Sequence, residues 1–379
     1  MRPASLRCWA EISLGAIRHN LLRIRSLLPR DCEVMGVVKA NAYGHGLPTV
    51  SRALAAQGVR KFLVANIAEA EVLLRAVPGA KVLLAGPTVP GELDWAVCQR
   101  GLAFALSSAA ELQRIERAAK KAGVSTAVHL KVDTGMGRIG CRAEEAGELF
   151  ARVAQSSHVR AEGIFSHMAR AEADPDECRK QLVRLMRPVE ELGRRGVKVE
   201  AIHIHNSAAV VNLIPNDRLT HARPGIALYG LGEPRAAWRR RLGDRPLRPV
   251  LAWKARVALV REVPKGTTIS YGGTFRAPRK MRVGVLPAGY ADGVSRKLSN
   301  CGEVLIRGRR CPILGRVTMD MTMVDLSRTP AARWGDEAVL IGKQGGNEIT
   351  AGEVADRAGT ISYEVLCGIS ARVPRVEVR

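Results

Sequence analysis

The sequence predicts an α/β protein: a TIM-type (β/α)8 barrel followed by a mainly β C-terminal domain. Three observations carry that expectation. Eight short β-rich runs alternate with helical stretches between about residues 34 and 230. Several of those runs are almost continuously apolar, as parallel strands buried on both faces must be. Beyond about residue 240 the alternation stops, and β-type runs separated by turn signals replace it.

The eight runs are VMGVVKA (34–40), KFLVAN (61–66), KVLLAG (81–86), LAFAL (102–106), VHLKVD (128–133), EGIFSHM (162–168), EAIHIHNS (200–207) and ARPGIALYG (222–230). A doubly wound sheet also alternates in this way, but the count of eight favours the barrel. Among the helical stretches, SAAELQRIERAAKKAG (108–123) sets Leu112, Ile115, Ala119 and Ala122 on one face. A second helix is expected over ECRKQLVRLMRPVEELGRRG (177–196). The Arg/Pro-rich linker RRRLGDRPLRPV then leads into ARVALVREV, MRVGVLPAGY, GEVLIRG, CPILGRV and EAVLIG, with one helix expected at TAGEVADRAG (350–359). The expected domains are therefore 1–240, the barrel, and 241–379, the β domain, which a strand at about 6–12 can join.

Composition narrows the class. Apolar residues make up 46% and charged residues 25% of 379, ordinary for a globular chain. No apolar run is long enough for a membrane span, and the N-terminus lacks a signal-peptide core, so a cytoplasmic location is expected. Eight scattered cysteines form no CxxC pair and read as reduced thiols. The formal net charge is +23, and residues 235–316 hold 20 Lys/Arg against 4 Asp/Glu. Such a surface attracts polyanions in general. Aromatic residues are only 4% of the chain, so a solvated arginine-rich face is expected and a specific nucleic-acid partner is not.

Barrel enzymes carry reactive groups where strands end. Here those ends hold Lys39, then Lys131 and Asp133 with Arg138 just beyond, then His167, then His203, Asn206 and Ser207, while the eighth run begins near Arg223. Lys39 follows the apolar run MGVV, so its stem should be packed and its amine partly desolvated, which favours imine chemistry. The same spacing also suits an ordinary solvent-facing lysine. Ser207 opens the helix-like SAAVVNLI and reads equally as part of an anion site or as a plain helix cap. Gly225 would let backbone approach a phosphate closely.

Two rival chemistries use the same residues. GMGRIG (135–140) matches GxGxxG, but it lies after the fifth strand, and Glu162 begins a strand instead of ending one. His167, His203 and His205 with Lys131 and Asp133 could form a metal-dependent hydrolase site. That reading leaves Lys39 without a role.

VVKANAYGHG (37–46) resembles the cofactor-binding signature of bacterial alanine racemases. The similarity continues, in order, through HLKVDTGMGRIG (129–140), HIHNSAA (203–209), RPGIALYG (223–230), SYGGTF (270–275), PAGYADG (287–293), GRVTMD (315–320) and SYEVLCGISARVPR (362–375). The resemblance implies a pyridoxal 5'-phosphate enzyme, a barrel plus a β domain, and a homodimer whose active site is shared between subunits. It implies interconversion of L- and D-alanine by two bases acting on the cofactor aldimine, to supply peptidoglycan. Racemases of serine or lysine are the near alternatives.

Residue by residue, the resemblance implies that Lys39 holds the cofactor as an imine and that Tyr271 is the second acid/base. Tyr43, Ser207, Gly225, Ile226 and Tyr363 would surround the phosphate, and Arg223 the pyridine nitrogen. His167 and His203 would neighbour the ring. Arg138 would hold the phenolic oxygen and the substrate carboxylate, to which Met319 would offer a backbone N–H. Lys131 matches a position often carbamylated, where it orients Arg138. Arg170 and Glu172, after His167, and Thr318, where cysteine is frequent, depart from the usual pattern. An arginine at the pyridine nitrogen does not readily yield its proton, so that nitrogen should stay unprotonated and side reactions should be limited.

Overall fold

The computed structural model describes residues 5–212, 214, 217–232 and 235–378. Contacts divide the chain into two compact units, one formed by residues 17–42 and 47–248, the other by 1–16, 43–46 and 249–379.

In the larger unit, eight parallel strands build a nearly closed barrel. They are β1 (Glu33–Val37), β2 (Lys61–Val64), β3 (Lys81–Leu84), β4 (Leu102–Leu106), β5 (Thr126–Asp133), β6 (Val159–Phe165), β7 (Ala201–His203) and β8 (His221–Ala222). Pairing runs β8-β1-β2-β3-β4-β5-β6-β7. The seam between β7 and β8 is joined by amide hydrogen bonds from Thr220 to the Ile202 carbonyl (3.0 Å) and from Arg223 to the His205 carbonyl (2.9 Å). β8 is far shorter than the apolar run ARPGIALYG suggests. After Ala222 the chain turns, and Ile226–Tyr229 form a 3-10 helix. A continuous apolar run does not by itself distinguish a buried strand from a buried helical turn.

Local chemistry sets the helix ends. Asn66, Ser108 and Asp174 each accept an amide three residues on, which caps Ile67–Ala76, Ala109–Ala122 and Pro175–Arg194. Gly123 closes the second of these in the left-handed conformation. Its buried face is Leu112, Ile115, Ala118 and Ala119, while Ala122, in the last turn, is exposed.

In the other unit, the N-terminal strand Cys8–Ser13 pairs antiparallel with Leu251–Arg256 and parallel with Arg375–Val378. A three-stranded sheet of Leu259–Val263, Met281–Leu286 and Thr322–Asp325 packs around Val263, Ile269, Met281, Val283 and Leu314. Helix Ala351–Ala358 is capped by Thr350 and Gly359. A second helix, Ser362–Cys367, follows it; its six residues are too few for a helical period to be read from sequence.

Candidate active site

Lys39 follows the fully buried Val38 at the C-terminal end of β1 and is itself only partly exposed. The next four residues, Ala40, Asn41, Ala42 and Tyr43, all take left-handed backbone conformations, with φ between 52° and 55°. Each costs an L-residue roughly 1–2 kcal/mol. Hydrogen bonds hold the turn in place. The Ala42 amide donates to the Val38 carbonyl (2.8 Å), the Ala40 amide to Glu69 Oε1 (2.7 Å), and the Leu47 amide to Asn41 Oδ1 (2.8 Å). Glu69 also accepts from the Ala65 amide at the end of β2 (2.8 Å), so one carboxylate ties two strand ends together. Strain this well supported is typical of a functional site.

Ser207 is not the helix cap. Asn206 fills that role, accepting from the Ala209 amide, and Ser207 opens Ser207–Val211. Its buried Oγ accepts instead from the amides of Gly225 (2.8 Å) and Ala227 (3.2 Å). These bonds bracket the buried Ile226 and gather Ser207, Gly225 and Ile226 into one cradle. The hydroxyl keeps its own proton to donate.

Arg223 is buried and has no carboxylate partner among the described residues. Its Nη1 donates to His203 Nδ1 (2.6 Å), and its Nη2 donates to the carbonyls of Ser166 (2.6 Å) and Ile204 (3.3 Å), with His167 Nδ1 at 3.5 Å. Burial pulls its pKa down to about 9, which leaves it a cation at pH 7. Burial, and then the Arg223 charge, hold His167 at about 3 and His203 well below the ordinary imidazole value. Because Arg223 can only donate, His203 Nδ1 must accept, and the ring's proton lies on Nε2. That nitrogen is 2.9 Å from His129 Nδ1, which must then accept in turn. Phe165 stacks on His203 with centroids 4.9 Å apart. Both nitrogens of His203 are thus engaged, and neither offers a lone pair to a metal.

Lys131 is buried, donates to the Val132 carbonyl (3.0 Å) and lies 5.5 Å from the Phe165 ring centre. Burial, reinforced by Arg223, lowers its pKa to about 8. Arg138 is exposed in the loop that follows β5. That loop is GMGRIG, and its first three amides are already committed: Gly135, Met136 and Gly137 donate to the Asp133 carboxylate. Burial opposes ionisation of Asp133, but these three donors outweigh it and hold the carboxyl below its usual range. The loop is a nest around its own carboxylate and not a dinucleotide site.

The remaining predicted residues belong to the smaller unit. Tyr43 is buried there with its ring centre 6.1 Å from that of Tyr363, and burial pushes its phenol well up. Gly44, at φ 80°, passes so close to helix Ser362–Cys367 that a Cβ would stand 2.0 Å from the Leu366 carbonyl oxygen. Tyr271 is 74% exposed and Met319 53% exposed. Tyr271 follows Ser270, itself at φ 65°, whose Oγ donates to the Arg316 carbonyl (2.6 Å).

Residues 12–233 match the sequence family described as alanine racemase, N-terminal domain, and residues 250–377 match alanine racemase, C-terminal domain. The chain belongs to the alanine racemase family. It is 44% identical to the alanine racemase of Symbiobacterium thermophilum, over 99% of this chain and 97% of that one. To the alanine racemase of Carboxydothermus hydrogenoformans it is 43% identical over the whole of both chains. Its fold matches the alanine racemase structure from D-cycloserine-producing Streptomyces lavendulae with a TM-score of 0.90, at 34% identity over 98% and 97% of the two chains. The Bacillus anthracis alanine racemase solved with bound L-Ala-P gives a TM-score of 0.90 at 34% identity, over 98% and 95%. The chain is therefore an isomerase, a pyridoxal-phosphate-dependent alanine racemase, and the metal-hydrolase reading is not favoured.

Sequence reasoning missed His129, Glu69 and Phe165. His129 and Lys131 lie two apart on β5, so they share one face of that strand, and this was a usable signal. Glu69 gave none, because it reads as an ordinary acid in the first turn of a helix.

Proposed function

We propose that Lys39 and Tyr271 are the two acid/base groups of alanine racemisation in this chain, acting on opposite faces of the substrate Cα. One takes the proton and the other returns it. The observation that carries the reading is Lys39 on its strained turn at the C-terminal end of the barrel that also holds the Ser207–Gly225 cradle and Arg223. When bound, pyridoxal phosphate supplies the electron sink that stabilises charge at Cα. Ser207, the backbone of Gly225 and Ile226, and the phenols of Tyr43 and Tyr363 would hold its phosphate. A buried cation bonded only to neutral groups suits Arg223 to donate to a pyridine nitrogen that stays unprotonated. His167 and His203, both held neutral, would line the ring. Arg138 and the Met319 amide would bind the substrate carboxylate, and Lys131, with its lowered pKa, would be carbamylated to orient Arg138.

The enzyme would act as a homodimer, with the partner subunit supplying a β domain to each barrel (1–240 with 241–379 in our division). A strongly exposed Tyr271, with Met319, Met321 and Tyr290 also exposed, supports a covered face on the smaller unit. Among the described residues no helix is long and apolar enough to cross a membrane. A cytoplasmic enzyme providing D-alanine for peptidoglycan, favouring alanine over serine or lysine and binding no specific nucleic acid, is the reading we carry forward.

Borohydride trapping tests the assignment of Lys39. Wild-type protein should fix the cofactor covalently and Lys39→Ala should not; an adduct retained on another lysine would overturn it. Subunit mixing tests the shared site. Lys39→Ala and Tyr271→Ala chains, each inactive, are unfolded and refolded together. Activity should return to about a quarter of wild type, since half of randomly paired dimers are mixed and each regains one of two sites. No recovery, in a sample shown to contain mixed dimers, would mean that Tyr271 acts within its own chain.

A further inference from the structure

The opposite, N-terminal mouth of the barrel holds a second cavity, of about 360 Å³, lined by the first residues of β2, β3, β4 and β5 and by β6. It lies wholly within the larger unit. Lys61, Lys81, Arg100 and Arg160 line it, against the single carboxylate of Glu162. Arg160 pairs with Glu162 (3.3 Å), and Lys61 reaches His221 Nε2 (2.7 Å) and, at 3.9 Å, Glu33. Lys81 and Arg100 are exposed and have no carboxylate partner among the described residues. A cleft walled by one sign of charge focuses its field inward and concentrates counter-ions.

The floor adds a directional donor. His129 lines this cavity and is 4% exposed. Its Nδ1 accepts from His203, so the ring's proton sits on Nε2 and remains available, with no partner among the described residues. Gly163 makes room for that ring: a Cβ there would stand 2.6 Å from His129 Nδ1. Beside the paired Arg160 and Lys61, the mouth thus brings together two exposed cations with no carboxylate partner among the described residues, Lys81 and Arg100, and an imidazole N–H.

We propose that the N-terminal mouth of the barrel is a binding site for a compact polyanion carrying two or more phosphate or carboxylate groups, held by Lys81, Arg100, Lys61 and the His129 N–H. The site goes beyond the racemase reading and does not depend on it. The polyanion would bridge cations that otherwise repel one another, and the His129–His203–Arg223 chain would connect it to the opposite end of the barrel.

Calorimetric titration of the cofactor-loaded enzyme with inorganic pyrophosphate, and separately with citrate, tests this at physiological salt. Loading keeps the phosphate cradle at Ser207 filled. Saturable binding of about one anion per chain is expected. Lys81→Ala/Arg100→Ala, both exposed positions, should weaken it at least tenfold, and Glu162→Gln should tighten it. As a control, Arg239→Ala/Arg240→Ala, in the basic segment beyond the barrel strands, should leave it unchanged. Absence of saturable binding, equal weakening in the control, or weaker binding in Glu162→Gln would each overturn the proposal.

Discussion

Arg223 Nη1 lies 2.6 Å from His203 Nδ1, deep inside the barrel, and this one contact fixes the protons of two imidazoles. It also gives a buried guanidinium its only side-chain acceptor within 3 Å among the described residues. Replacing His203 with Leu removes that acceptor and strands the His129 acceptor as well. An unpaired buried group costs about 1–3 kcal/mol, and more when charged. We expect His203→Leu to lose at least 2 kcal/mol in urea unfolding. An unchanged midpoint would mean that the Ser166 and Ile204 carbonyls satisfy Arg223 alone.

Acid should destabilise the fold earlier than carboxylate titration would suggest. Burial holds His129 and His167 at about 3, His205 and His221 at about 4, and His203 well below the ordinary imidazole range. Unfolded imidazoles protonate near pH 6.5, whereas these do not while folded. Below that pH the unfolded chain binds more protons, so stability present above about 6.5 is lost as pH falls toward 4. Roughly 3–6 kcal/mol should disappear between pH 6 and pH 5. Equal urea midpoints at pH 7 and pH 5 would show that the rings protonate within the fold.

Glu69 should matter to Lys39 without touching it. Its carboxylate accepts from Ala40, next to the lysine, and from Ala65. Hydrogen bonds to a charged group contribute about 1.5–3 kcal/mol each. Glu69→Ala should therefore loosen the strained turn and speed cofactor loss during dialysis, and Glu69→Gln should restore part of the retention. Wild-type retention in the alanine variant would assign the turn's geometry to Asn41 and the Val38 carbonyl.

Lys131 has the chemistry to capture carbon dioxide. Its pKa of about 8 leaves a sizeable neutral fraction near pH 8, and a carbamate needs the neutral amine. Carbon-13 NMR in labelled bicarbonate should show a carbamate resonance that Lys131→Ala abolishes. A spectrum without that resonance would leave Lys131 an amine over the Phe165 ring.

Tyr271→Phe removes the phenol and keeps the ring. Isotope exchange at Cα should slow far more from L-alanine than from D-alanine in single-turnover experiments. Equal slowing would make Tyr271 a positioning residue.

Residues with a local signature were readable in advance. Alternating apolar runs announced the barrel, and the spacing of Leu112, Ile115 and Ala119 announced a helix, because each is decided within a few residues. Ser207 and Gly225 were both named, but their hydrogen bond spans two strand ends, and sequence could not say that Asn206 caps the helix and frees Ser207. The strand expected over 222–230 failed for a related reason: burial, not backbone type, is what an apolar run reports. His129 and Glu69 act through contacts 74 and 29 residues away. No spacing rule reaches that far.

Ala40 through Tyr43 trace, link by link, the mirror image of an ordinary helical turn. A D-residue has its lowest energy where its L-counterpart is strained, and two of these four positions are alanines. A chemically assembled chain carrying D-alanine at positions 40 and 42 would relax there, gaining roughly 1–2 kcal/mol at each. Ribosomal synthesis cannot use that option, so an enzyme that manufactures D-alanine bends two L-alanines into its product's preferred shape beside the lysine we assign to the reaction.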